Sequence, residues 1–331
     1  MSENTGVLVH CEVVGGKLTA IATELLGAGT RLASVLGQEL SAVLIGNGIS
    51  ESAQEAIAYG ARKVYVVDAP SLKDYATEPY LLAMEKTIRQ ALPSIILLGQ
   101  TSTGRDLAPW LAFRLNTGAT MDCMALEIDP ASKRLMMTRP VYGGNAQAVQ
   151  VCNTDPQIAA IRNKTMSPTV KDETLKGQII NVETEIDMSS LKIKVLERKA
   201  EAAAGIKLED ARVVVAGGRG MGSADGFQQL EKLAGLLDGA VGATRPPCDA
   251  RWIPNSQQIG ITGKIVSPDL YIAVALSGAS QHVAGFFSSK VIVAINKDPD
   301  ANIFKVAHYG IVADWKTALP VFTAKLMELT G

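Results

Sequence analysis

No CxxC pair occurs in the chain; its four cysteines, Cys11, Cys123, Cys152 and Cys248, are scattered along 331 residues. Iron–sulfur clusters and zinc sites need closely spaced thiolates, so neither is expected. The cysteines read instead as small buried hydrophobes. The three histidines, at 10, 282 and 308, are too dispersed for a histidine metal site. Aromatic residues make up only 5% of the chain against 47% hydrophobic. The core is therefore aliphatic, as in buried parallel strands covered by helices. With a net charge of -1 and no long charged block, nucleic-acid binding through a phosphate-neutralising surface is not expected. No apolar run approaches the ~20 residues that span a bilayer, and MSENTGVLVH lacks the basic start and apolar centre of a secretory signal. A soluble, cytoplasmic protein without membrane insertion is expected.

What is present is alternation. The length predicts about two domains. GVLVH, LSAVLIG, KVYVVD and SIILLGQ read as strands. KLTAIATELLGAGTRLASVLG, SESAQEAIAYGA, PYLLAMEKTIRQAL and GRDLAPWLAFRL read as the helices that follow them. A β-α pair repeated in this way predicts a parallel sheet with helices on its faces. From about residue 120 come the short strand candidates CMALEID, RLMMTRP, NAQAVQV and QIAAIR, with DP and GG turns between them. They fit an antiparallel extension of the same sheet. Residues 163–198 are polar, with β-like pieces at GQIINVET and SLKIKVLE. The charged, Ala-rich stretch RKAEAAAGIKLED, residues 198–210, reads as a hinge. A second unit follows, with strands at ARVVVAGG, YIAVAL and KVIVAIN and helices at FQQLEKLAGLL and DWKTALPVFTAKLMEL. The expected fold class is α/β, in two domains, each a mostly parallel sheet flanked by helices. The boundary is placed between residues 203 and 204.

The first domain shows no catalytic cluster; Arg105 and Asp106, at a strand's end, read as structural caps. Chemistry-bearing residues gather in the second. VVVAGGRGMGSADGF runs from a strand into a glycine-rich turn and a helix, the arrangement that points free N–H groups at an anion. Arg219 adds a mobile positive charge, and Ser223 and Asp225 suit the helix N-cap. Neither GxGxxG nor GxxxxGK[ST] is satisfied, and an ordinary βα turn accounts for the glycines equally well. Thr244 and Arg245 precede two prolines, so a cation sits on a rigid turn. Ile261 and Thr262 lie between two glycines in a loop that presents backbone N–H groups and a hydroxyl. YIAVAL is apolar at every position, so it is expected at the centre of a parallel sheet. Ligands of such sheets bind beyond the carboxyl ends of the strands, where Ser277, Gly278, Ser280, Gln281 and His282 fall. Asn296 ends the next strand. Asp314 and Trp315 could reach an adenine or ribose, although Asp314 also reads as a helix N-cap.

In this order, GGRG, VGATR, IGITGK, LYIAVALSGASQH, AINKDP and YGIVADW resemble the FAD-binding domain of electron transfer flavoprotein alpha subunits. LLGAGTRLA and GRDLAPWLAFRL extend the resemblance to that family's N-terminal domain. The resemblance implies an electron carrier with no catalytic residue of its own and no metal, bound to a beta subunit as a heterodimer. Residues 1–203 would hold the partner, and residues 204–331 would form a Rossmann-like FAD-binding domain. It further implies electrons arriving from a flavin dehydrogenase of the acyl-CoA type, as in fatty acid beta-oxidation. They would pass to a quinone oxidoreductase or, in bifurcating members, between NADH, ferredoxin or quinone, and acyl-CoA.

By motif, Arg219, Ser277, Gly278, Ala279, Ser280 and Gln281 would line the FAD. Thr244 and Arg245 would lie near the ring, Ile259, Gly260 and Ile261 would belong to the cofactor site, and Thr262 would approach the ring's N5 region. His282 would donate to the O2 edge of the ring; Asn296, Asp314 and Trp315 would serve the adenosine end. Two departures stand out. Ile261 occupies a position that is commonly Gln and keeps only its backbone N–H, and Ser280 replaces an apolar residue. The competing readings are a stand-alone nucleotide-binding α/β oxidoreductase using NAD and a cofactor-free interaction subunit. The first lacks GxGxxG and an acid–base pair; the second leaves the polar turn at 277–282 unexplained.

Overall fold

A computed structural model describes residues 4–184, 186, 191–193, 195–197 and 206–330. Two compact units result, Met1–Val141 with Gln147–Lys199, and Tyr142–Ala146 with Ala200–Gly331. The expected 203/204 boundary and residues 198–205 of the hinge stretch lie outside the described residues.

In the first unit β1 (Val7–His10) is followed by a small hairpin of β2 (Val13–Val14) and β3 (Lys17–Leu18), then α1 (Ala20–Leu36). Next come β4 (Leu40–Gly46), α2 (Ser52–Ala58), β5 (Lys63–Asp68), α3 (Thr77–Ala91), β6 (Ile95–Gly99) and α4 (Ser102–Arg114). The remainder is strand: β7 (Ala119–Cys123), β8 (Ala125–Ile128), β9 (Leu135–Val141), β10 (Ala146–Val151), β11 (Gln157–Ile161) and β12 (Gln178–Asn181). Local signals explain the helix ends. Thr19 caps α1 by accepting from the Ala22 N–H, and Gly37 closes it in the left-handed region.

Seven strands form one sheet in the order β12-β5-β4-β1-β6-β11-β7, and every pairing in it is parallel. Side chains alternate between two aliphatic clusters, one on each face. The expected antiparallel extension is corrected here. β8, β9 and β10 form a separate three-stranded sheet, whereas QIAAI, as β11, enters the main sheet parallel to β6 and β7. Full burial of all its side chains decides the matter, since only a central parallel strand is apolar on both faces. GQIINVET contributes the edge strand β12. For SLKIKVLE, residues 191–193 and 195–197 carry no strand and the other positions lie outside the described residues.

The second unit contains β13 (Val213–Gly217), α5 (Ala224–Leu236), β14 (Ala240–Ala243), α6 (Arg245–Asp249) and β15 (Leu270–Val274). It continues with α7 (Ser280–Val283), β16 (Val291–Asn296), β17 (Tyr309–Val312) and α8 (Trp315–Thr330). Its sheet runs β14-β13-β15-β16-β17, parallel throughout. YIAVAL thus supplies the central strand, buried as expected. Strand order reverses direction between β13 and β15, the topological switch point where α/β sheets open a crevice at their carboxyl edge.

Among the described residues no helix is long and apolar enough to cross a membrane, and no group of three or more His, Cys, Asp or Glu could hold a metal ion.

Candidate functional site

The two turns flanking that switch point are the glycine-rich turn after β13 and the 275–282 turn after β15. They are joined backbone to backbone. The Gly218 N–H donates to the Val274 carbonyl at 3.1 Å and the Gly220 N–H to the Ala275 carbonyl at 3.2 Å. A Cβ at Gly218 would run into the Ala275 carbonyl, so this close approach requires glycine. Gly278, at φ +79, lies in the left-handed region, and its Cα faces the backbone of Ile303, whose N–H donates to the Ser277 carbonyl. These contacts fix the edge and leave side chains outside it. Arg219, Ser277, Ala279, Ser280 and Gln281 are all exposed. Ser223 stands at the N-cap of α5, but its side chain makes no cap hydrogen bond.

Beyond β14, Thr244 is the N-cap residue of α6, and Pro246 and Pro247 set the first turn. Arg245 is exposed and its Nε reaches Asp249 at 3.3 Å. An exposed i,i+4 pair of this kind contributes little, so the guanidinium is available to another anion. The 259–262 loop lies against α7, through a hydrogen bond from the Ile261 N–H to the Gln281 carbonyl at 2.9 Å. The backbone N–H of Ile261 is thus engaged within the protein, which corrects its expected role toward a ligand. Its side chain is 50% exposed. Thr262 is exposed, its hydroxyl accepting from the Gln258 amide at 3.0 Å.

His282 requires a larger correction. Its side chain is buried, with Nδ1 2.8 Å from the Ile259 carbonyl and Nε2 2.9 Å from the Tyr271 hydroxyl. A carbonyl only accepts, so Nδ1 carries the proton, and Nε2 accepts from Tyr271. Burial pushes the imidazole down to about 4, with the Ile259 carbonyl opposing weakly. The ring is neutral at pH 7 and both nitrogens are engaged, so the expected donation to a flavin O2 is not open to it in this arrangement.

At the far end of the edge, Asn296 donates to the Leu276 carbonyl at 2.8 Å and accepts from the Asp298 N–H at 3.0 Å. It therefore tethers the β15 turn. Asp314 accepts from the Lys316 N–H at 2.9 Å at the start of α8, which is its capping role. Trp315 Nε1 donates to the Gly220 carbonyl at 3.0 Å, closing the glycine turn from the other side. One neighbour went unread in the sequence: Gly144, within the GG turn, lies against the Phe287 ring just beyond α7. Its signal, a double glycine, is the same one that any tight hairpin gives.

This donor set fits FAD. Two exposed guanidiniums suit a pyrophosphate and an electron-rich ring. Hydroxyls and an amide beside them supply the neutral hydrogen bonds that orient a dinucleotide.

Comparisons with known proteins give the same assignment. Residues 7–187 match the Electron transfer flavoprotein domain, and residues 207–287 match the Electron transfer flavoprotein FAD-binding domain. The electron transfer flavoprotein subunit alpha of Thermoanaerobacterium thermosaccharolyticum is 43% identical over 330 residues, covering 99% of this chain and 100% of the relative. That of Megasphaera elsdenii is 41% identical, covering 100% and 99%. The lactate dehydrogenase (NAD(+),ferredoxin) subunit LctC of Acetobacterium woodii is 37% identical, covering 95% and 75%. A stand-alone NAD oxidoreductase is not favoured by these relationships. The chain belongs to the electron transfer flavoprotein alpha-subunit family, a family of FAD-binding electron carriers that work with a beta subunit.

Proposed function

We propose that FAD lies extended along the carboxyl edge of the second unit's sheet, from the 259–262 loop to Asp314 and Trp315. The observation that carries this reading is the switch point between β13 and β15, with Arg219 on one flanking turn and Ser277, Ser280 and Gln281 on the other. Bound there, the flavin supplies the redox chemistry. The chain's own residues bind and orient it. Arg219 neutralises phosphate charge, and the Thr244 N–H, bonded to the Gly217 carbonyl at 3.0 Å, ties the entry of α6 to β13, so that Arg245 projects from a fixed turn. The Arg245 guanidinium favours negative charge on the part of the ring that it faces. Thr262, Ser277, Ser280 and Gln281 supply neutral donors and acceptors, while Ile259, Gly260, Ile261, Gly278 and Ala279 shape the wall. Asn296, Asp314 and Trp315 brace the adenosine end. Buried and neutral, His282 contributes by holding its neighbours.

In the complex with its beta subunit, the chain accepts electrons from a flavin dehydrogenase of the acyl-CoA type and passes them to a quinone oxidoreductase. The similarity to LctC, named for NAD(+) and ferredoxin, supports ferredoxin as a second acceptor. The first unit is the candidate holder of the beta subunit. A cytoplasmic location accords with the four free cysteines. Co-purification with the beta subunit tests the reading: the expected product carries visible flavin absorbance. A complex that stays colourless after incubation with excess FAD contradicts it.

A further inference from the structure

We propose that Tyr271 is a positioning residue for the flavin site, acting through His282 to lock the 259–266 loop onto α7. The proposal rests on the flavin placement given above. Tyr271 sits in β15 between Val214 of β13 and Ile292 of β16 and has no exposed surface. Its ring stacks on Phe286, with centroids 4.0 Å apart and planes 3° from parallel. Packing of that kind is equally open to phenylalanine. The hydroxyl is therefore the part of the residue that the aliphatic core does not explain, and its partner is His282 Nε2. A buried hydroxyl without a partner is costly; here it meets a buried acceptor that has the same need.

The consequence passes along the imidazole. With Tyr271 donating to Nε2, the proton stays on Nδ1 and the ring donates to the Ile259 carbonyl at 2.8 Å. Two further bonds tie the same loop to residues 281–285, Ile261 N–H to the Gln281 carbonyl at 2.9 Å and Val266 N–H to the Gly285 carbonyl at 2.8 Å. Of these three contacts with residues 281–285, only the histidine's uses a side chain; outside them the Ile259 N–H donates to the Ala243 carbonyl at 2.9 Å and Lys264 pairs with Glu209. Ile261 and Thr262, which face the flavin in the proposed placement, lie two and three residues after Ile259. A buried relay thus fixes a loop whose exposed residues form one wall of the site.

Removing the hydroxyl leaves Nε2 a buried acceptor without a donor. The ring cannot escape by moving its proton to Nε2, because an unprotonated Nδ1 would then face the Ile259 carbonyl. The clamp loosens, the closed loop is populated less, and apparent FAD affinity falls by that fraction.

The test uses the complex with the beta subunit and compares wild type with Tyr271→Phe. In the FAD-free complex, amide exchange at Ile261 and Val266 should rise by about tenfold, while residues 214–216 of β13 keep their rates. With FAD added, dissociation should also be about tenfold faster. In a His282→Asn background, which retains a donor toward Ile259 and has no Nε2 to satisfy, Tyr271→Phe should change neither quantity by more than about twofold. Unchanged loop exchange and unchanged dissociation in Tyr271→Phe, with only a lower Tm, overturn the positioning role. An equal effect of Tyr271→Phe in both backgrounds overturns the route through His282. Wild type that binds no FAD sinks the flavin placement alone, because the exchange measurement is made without FAD.

Discussion

The two units end their parallel sheets in opposite ways. At the carboxyl edge of the first, several charged and polar groups are paired within the chain, although the buried His10 Nδ1 and Asn163 Oδ1 have no hydrogen-bond partner among the described residues. Glu12 accepts from the Thr101 hydroxyl at 2.6 Å across the β1/β6 switch point. Asp68 takes the N–H groups of Gly48, Ile49 and Ser50 together with the Ser50 hydroxyl, at 2.7 to 3.2 Å. Arg162, only 1% exposed, pairs with Asp122 through Nε and Nη2 at 2.8 and 2.7 Å. At the edge of the second, Arg219, Arg245, Ser277, Ser280 and Gln281 all face solvent. The architecture is shared; what differs is that the first edge ties its carboxylates Glu12, Asp68 and Asp122 to its own donors, whereas the second turns two guanidiniums, two hydroxyls and an amide outward. Function therefore resides in the side chains grafted onto the edge and not in the fold.

The comparison breaks most sharply at Asp122. Asp122→Ala takes two charge-assisted hydrogen bonds from the buried Arg162 guanidinium in the first unit and should cost about 3–5 kcal/mol of stability, read by urea denaturation. FAD affinity of the folded fraction should be unchanged; a comparable loss of affinity would mean that the two edges act together. Arg245→Ala reverses the pattern. Removal of a charged hydrogen-bonding partner should weaken FAD by about 1.5–3 kcal/mol, measured by equilibrium dialysis, with less than about 0.5 kcal/mol lost from folding because the side chain is exposed. Unaltered affinity would remove Arg245 from the site.

Acidification sharpens the comparison by a smaller amount. In the second unit, His282 is held down to about 4 by burial. The unfolded chain takes up this proton below about 6.5 and the folded chain does not. Stability is therefore fully present above pH 6.5 and falls between 6.5 and 4. His10 behaves likewise in the first unit, where burial also holds it near 4. There Glu24 opposes it: burial raises that carboxyl to about 7, so the folded unit holds a proton that the unfolded chain has lost. That term strengthens the first unit as pH falls from 7 toward 4.5. Between about pH 7 and 5, amide exchange corrected for intrinsic rates should quicken at residues 214–216 but hardly at 7–9, by about one proton's worth of free energy per pH unit, ~1.4 kcal/mol. His282→Asn should abolish the difference. Equal responses in the two sheets would contradict this assignment.

Much of the fold was legible because buried parallel strands announce themselves as unbroken aliphatic runs. β1, β4, β5, β6, β13, β15 and β16 all read that way. β14 and β17 did not, since AVGA and YGIV are four residues long and contain glycine. β8 to β10 were seen as strands, but short half-buried segments carry no signal of which sheet they join. Within the site, the glycine turn and the polar end of β15 were legible from local sequence alone. The fate of His282 was not, because its partners Tyr271 and Ile259 stand 11 and 23 residues away and meet it only through packing. Asn296 and Trp315 likewise bond to Leu276 and Gly220, contacts that no local spacing encodes.

Amide exchange of the complex with and without FAD tests the central claim most directly. Protection is expected at residues 218–221, 244–245, 259–262 and 277–282, with none at 10–12 or 99–104 of the first unit. Protection confined to the first unit's edge, or absent from the second's, would contradict it.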